Sequence, residues 1–175
     1  MPDSSDQRKL VEIREAYRGY IPSVDVAAIV RQFLDTVEDK YLRGLDCVLL
    51  VNEAGLPRRD RIGKVWSGKR KIKKSRTLGC YRRQTRNHPA YIELRVDKIL
   101  KALEKMPAAF VFRKVVFGHV LFHEIGHHIH RKIRPEYKEK EDVADNWAGK
   151  LNANFIRKQY WYALPLLIPA LKTYR

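Results

Sequence analysis

Apolar positions recur along this chain with two different periods, and each period places a different kind of element. Between residues 25 and 42, Val26, Ile29, Val30, Phe33, Leu34, Val37 and Tyr41 keep the three-and-four spacing of one helix face, with Ser23 or Asp25 where a cap belongs. A single helix is predicted there. After Gly44, the Val- and Leu-rich run from Leu45 to Val51 stops at Asn52, Gly55 and Pro57 and reads as a buried strand. Residues 77–84 and 90–96 flank a turn at Asn87-His88-Pro89. The second run alternates Tyr91, Ile92, Glu93 and Leu94, and the two runs together predict a hairpin.

Residues 97–105 fit a short helix that stops at Met106-Pro107. From Ala108 to about Arg134 the chain predicts its longest helix, ended by Pro135. A further helix from Glu136 or Glu139 to Arg157 sets Val143, Trp147, Leu151 and Phe155 on one stripe. The aromatic stretch from Tyr160 to Leu171 contains Pro165 and Pro169, so a broken helix packed over the core is expected. No internal repeat appears. The expected fold class is α+β, one domain over residues 1–175 with a small antiparallel sheet packed on helices.

Composition agrees with a globular domain, since 45 % of the 175 residues are apolar and 32 % are charged. No apolar stretch approaches the roughly 20 residues that a membrane helix needs, so no membrane insertion is expected. The amino terminus shows no apolar secretory core. Cys47 and Cys80 are the two cysteines and form no CxxC pair, which argues against a disulfide framework and a four-cysteine zinc site. A reducing, cytoplasmic location is the expectation.

Charge adds a local feature. The formal net charge is +16, yet residues 57–86 alone hold 13 Lys or Arg against the single acid Asp60. The other 145 residues carry 23 bases and 19 acids and are close to neutral. The run Lys69, Arg70, Lys71, Lys73, Lys74 and Arg76 lacks helical amphipathicity and predicts a solvated loop or hairpin arm. Those six side chains are candidates for binding a polyanion, either nucleic acid or an acidic protein.

The sharpest chemical signal is His123-Glu124-Ile125-Gly126-His127, an HExxH motif inside the long helix. Four residues advance a helix by about 400°, so His123 and His127 project from one side and can meet a single zinc ion. Glu124 is rotated by about 100° from His123, beside the metal position but outside its ligand set. Phe117, Leu121, Ile125 and Ile129 fall on the face away from the histidines, which aims the motif from a packed helix into a cleft. For His119, His128 and His130, which a single zinc does not need, a surface or packing role is expected.

A third protein ligand is still required. The longer HExxHxxGxxH pattern is absent, because His130 and Ile133 stand at its last two defined positions. The next helix offers Glu141-Asp142-Val143-Ala144-Asp145, with Glu141 and Asp145 one turn apart at the border of its buried arc. This resembles the gluzincin arrangement. The resemblance implies that Glu141 completes the zinc ligands and that Asp145 accepts the free ring N–H of His123. Over residues 122–148, HEIGHHIH followed by EDVADNWA most closely resembles the ImmA/IrrE-type metallopeptidases, which implies a zincin-like fold and peptide hydrolysis.

On that reading Glu124 is the general base for water attacking a peptide carbonyl, and Tyr137, Tyr160 and His88 are candidates to steady the oxyanion. The strand holding Tyr91, Ile92, Glu93 and Leu94 is the expected sheet edge along which a peptide or protein substrate would lie. A second reading makes the basic segment the working surface of a nucleic-acid-binding protein with a structural or inactive metal site. The two combine in a protease recruited to DNA.

Overall fold

The computed structural model describes residues 10–58, 61, 64–67, 70–73, 77–104, 110–133 and 141–163. In chain order the elements are β1 (Glu12–Ala16), α1 (Val26–Leu34), α2 (Asp39–Leu42), β2 (Leu45–Val51), β3 (Lys64–Ser67), β4 (Arg70–Lys73), β5 (Gly79–Arg82), β6 (Ala90–Arg95), α3 (Val96–Glu104), α4 (Phe110–Ile133) and α5 (Glu141–Gln159). Two short 3-10 turns, Glu53–Gly55 and Trp161–Ala163, complete them. Among the described residues no helix is long and apolar enough to cross a membrane.

The fold is α+β, with a four-stranded sheet in the order β1-β2-β6-β5 packed on helices. The sheet is mixed and not antiparallel as expected. β1 and β6 both run parallel to β2, and only β5 opposes its neighbour β6. The connections explain this. Parallel neighbours need a long crossover, and α1 and α2 lie between β1 and β2, while β3, β4 and β5 lie between β2 and β6. The expected hairpin of residues 77–84 and 90–96 is present as the antiparallel pair β5 and β6. A second pair, β3 with β4, forms a separate two-stranded sheet within the basic segment.

Alternation along the central strands sends Val48, Leu50, Ile92 and Leu94 to the helix-covered face, where all four are fully buried. They meet Val30, Phe33, Ile99, Leu121, Phe122 and Ile125 in one core. The Phe33 ring stands 4.6 Å from Phe155 and 5.5 Å from Phe122, so α1 locks against both α4 and α5. Removing such a ring typically costs about 3–5 kcal/mol.

The expected helix over residues 25–42 is interrupted. Asp25 caps α1 by accepting the Ala28 N–H, but the buried Thr36 hydroxyl donates to the Phe33 carbonyl. Asn154 and Lys158 from α5 then donate to the Thr36 carbonyl. That carbonyl is taken out of a continuing helical ladder, and the chain resumes as the single turn of α2. In the tail, Tyr160 is buried against Phe155, whereas Trp161 and Tyr162 are 70 % and 66 % exposed and do not pack over the core. The remainder of the expected broken helix, residues 164–171, lies outside the described residues.

Candidate metal centre

Helix α4 is anchored by Phe117, Leu121, Ile125 and Ile129, all buried, and this fixes the rotation of the motif's polar side. His123 and His127, one turn apart, bring their Nε2 atoms to 3.1 Å from each other. Helix α5 runs antiparallel beside them, as successive contacts show: Gly126 meets Ala144, and Val115 accepts a hydrogen bond from Asn152. A Cβ on Gly126 would stand 2.7 Å from the Ala144 carbonyl oxygen and 2.9 Å from its Cα. The glycine in the middle of the motif is therefore what lets α5 approach closely enough to deliver its acids.

Two acids arrive. Glu141 Oε2 lies 3.3 Å from His123 Nε2 and 3.8 Å from His127 Nε2. One turn further on, Asp145 Oδ1 accepts from His123 Nδ1 at 2.8 Å, which leaves the Nε2 lone pair directed at Glu141 and His127. These three donor groups form a possible metal-ion site, and no other such group converges among the described residues.

A triangle with sides of 3.1, 3.3 and 3.8 Å has a circumscribed radius of about 2.0 Å. Zinc bonds to His nitrogen and carboxylate oxygen are about 2.0–2.2 Å long. The three atoms are thus spaced as one face of a tetrahedron around an ion of that size would require. Burial, reinforced by the neighbouring His123, pushes the His127 pKa down to about 4, so the ring stays in the neutral form that ligates metals.

Glu124 follows the motif but belongs to a different contact set. Its buried carboxylate accepts the Tyr81 backbone N–H at 2.7 Å, tying α4 to the edge strand β5. A Cβ on Gly79 would stand 2.8 Å from both Cγ and Oε1 of Glu124. Gly79 and Tyr81 therefore hold the acid in place, and the sequence reading missed both. A glycine inside a strand is a recognised mark of close approach, and it was the available signal.

The strand expected to face substrate is corrected by the sheet order. Tyr91, Ile92, Glu93 and Leu94 lie in β6, which is hydrogen-bonded to β2 on one side and β5 on the other, so it has no free edge. Ile92 and Leu94 are core residues, and Glu93 is buried beside Arg82 and Arg95 at 3.4 and 3.5 Å. The edge next to α4 is β5. Arg95 N–H donates to Leu78 O, so by alternation the backbone groups of Gly79 and Tyr81 face away from β6.

The remaining candidates have other surroundings. His128 is buried, with Nε2 3.2 Å from the Arg43 carbonyl and Nδ1 3.3 Å from the Tyr81 hydroxyl, which makes it a link between α4 and β5. His130 is buried and His119 has its pKa lowered mainly by burial. Tyr160 is a core residue, His88 is exposed in the turn before β6, and Tyr137 lies outside the described residues. Burial pushes the Cys80 thiol up to about 11, so it remains protonated near neutrality. Arg70, Lys71 and Lys73 lie on β4, while Lys69, Lys74 and Arg76 fall outside the described residues.

The chain matches no protein-family model, and comparison with curated proteins and with solved structures likewise gives no match.

Proposed function

We propose that this chain is a zincin-like, zinc-dependent peptidase in which His123, His127 and Glu141 hold the ion and Glu124 is the general base. The observation that carries the reading is the convergence of two imidazole nitrogens and one carboxylate oxygen at tetrahedral spacing. Two nitrogens and one oxygen suit zinc better than calcium or magnesium, which favour oxygen ligands. When bound, zinc supplies Lewis acidity and lowers the pKa of a coordinated water towards about 7.

The protein's own groups account for the remaining steps. Glu124, held by the Tyr81 N–H, takes the proton from the attacking water and passes it to the leaving amine. Asp145 fixes the His123 tautomer throughout. The peptide substrate approaches beside β5, whose outward Tyr81 N–H is taken by Glu124, and not along β6, which is paired on both sides.

The test combines metal analysis with hydrolysis of an unfolded protein substrate. Wild-type protein is expected to carry one zinc per chain, and Glu141→Ala to lose most of it. Glu124→Gln should keep the zinc and lose about 10²–10⁴-fold in turnover. Undiminished turnover by the metal-loaded Glu124→Gln protein would overturn the assignment.

A further inference from the structure

We infer that the hairpin of β3 and β4 is a docking surface for single-stranded nucleic acid. Residues directly opposite in an antiparallel pair lie on the same face, as do positions two apart on one strand. The register pairs Lys64 with Lys73, Val65 with Ile72, Trp66 with Lys71, and Ser67 with Arg70. Lys64, Trp66, Lys71 and Lys73 therefore share one face, and Val65, Ser67, Arg70 and Ile72 share the other.

The first face has a tryptophan among three lysines and no acid. Lys64 and Lys73 are directly opposed, an arrangement in which like charges weaken the pairing of strands. An isolated two-stranded hairpin has little stability to lose. An anionic ligand along this face removes the repulsion. The surrounding segment strengthens the same field, because residues 57–86 carry 13 Lys or Arg and one acid while the rest of the chain is close to neutral.

Trp66 decides between polyanions. An acidic protein would be satisfied by the lysines alone, and a duplex keeps its bases stacked within itself. A single strand offers phosphates to the lysines and an unpaired base to the indole, the combination used by sequence-tolerant single-strand binders. Lys71 and Lys73 are two positions apart on β4 and Trp66 is paired opposite Lys71, so all three positions share one face of the hairpin. Nothing in this inference uses His123, Glu124, His127 or Glu141, and it stands independently of the peptidase reading.

The test is fluorescence anisotropy of the full chain with a labelled oligothymidylate, and with a duplex of equal length, across a salt series. The single strand is expected to bind more tightly than the duplex. Trp66→Ala should weaken single-strand binding by about fivefold or more, and Trp66→Phe, which keeps a stacking ring, should retain most of it. Lys71→Gln combined with Lys73→Gln should make the salt slope shallower by about 1.4. Circular dichroism checks each variant, and if Trp66→Ala fails to fold, the Trp66→Phe and lysine variants carry the test. Three results would each overturn the inference: a duplex bound as tightly as the single strand, a folded Trp66→Ala protein with wild-type affinity, or displacement by polyglutamate as effective as by unlabelled oligothymidylate. The last would reassign the face to an acidic protein.

Discussion

His123 is held between two carboxylates of one helix: its Nδ1 lies 2.8 Å from Asp145 Oδ1 and its Nε2 lies 3.3 Å from Glu141 Oε2. Glu141 and Asp145 are one turn apart on α5, so a single helix both supplies the carboxylate of the possible metal site and orients one of its rings. Losing the orienting acid leaves all three donor groups in place but lets the His123 ring turn and change tautomer. Asp145→Ala is therefore expected to weaken zinc binding by about 10–100-fold. Asp145 is 61 % exposed, so the fold should survive the change. Competition with a chromophoric chelator measures the affinity, and an unchanged value would remove Asp145 from the site.

The approach of α5 to α4 depends on Gly126. Alanine ordinarily favours a helix over glycine by about 1 kcal/mol, but here the new methyl would meet backbone atoms of Ala144 at 2.7 and 2.9 Å. Backbone gives way only if the whole helix shifts, and Glu141 shifts with it. Gly126→Ala should cost about 1–3 kcal/mol in urea unfolding and also lose zinc. Gly149, on the facing helix α5, has open space where a Cβ would go, so Gly149→Ala should be neutral or stabilising by up to about 1 kcal/mol with zinc retained. Equal behaviour of the two variants would show that close packing at Gly126 does not place Glu141.

Much of this architecture is legible from spacing. The strand at 45–51, the paired runs around Asn87-His88-Pro89 and the long helix carrying HExxH follow from periodicity and breakers, because burial on one face imposes those patterns directly. The meeting of His123 and His127 is likewise a property of helix geometry alone. What spacing cannot supply is strand order and local competition for carbonyls. β1 (Glu12–Ala16) is mostly exposed and built of Glu, Arg and Ala around a half-buried Ile13, so only pairing with β2 makes it a strand. The alternation of Tyr91 to Leu94 marks a strand but not its neighbours, so alternation alone does not distinguish this interior strand from an edge. The break after Leu34 depends on Asn154 and Lys158, more than a hundred residues away.

Gly79 provides a separate test of the role proposed for Glu124. A methyl at this position would overlap Glu124 Cγ and Oε1 at 2.8 Å, and the carboxylate would have to leave the Tyr81 N–H. The three atoms nearest such a methyl all belong to Glu124 and none to His123, His127 or Glu141. Gly79→Ala should therefore retain zinc while peptide turnover falls by about tenfold or more, up to the roughly 10²–10⁴-fold that general-base catalysis contributes. A variant with normal turnover would show that Glu124 does not need the edge strand.

Acid sensitivity follows from the histidines. Burial is the largest cause of lowered pKa values at His119, His127 and His128, and it takes His127 down to about 4. Between pH 6.5 and about 4 the unfolded chain binds protons at the His127 ring that the folded chain refuses. In that window stability rises with pH, and it is lost as pH falls from 6.5 towards 4. Metal-free protein should accordingly show a Tm that drops across this range. A His127→Gln variant should show a shallower drop, which separates the ring from the carboxylates that also protonate in acid. Zinc-loaded protein should release its ion over the same range, since ligand nitrogens must be unprotonated. Thermal unfolding followed by circular dichroism at several pH values, with and without chelator, measures both effects. Parallel wild-type and His127→Gln curves would show that this ring is not the buried, neutral group that the site requires.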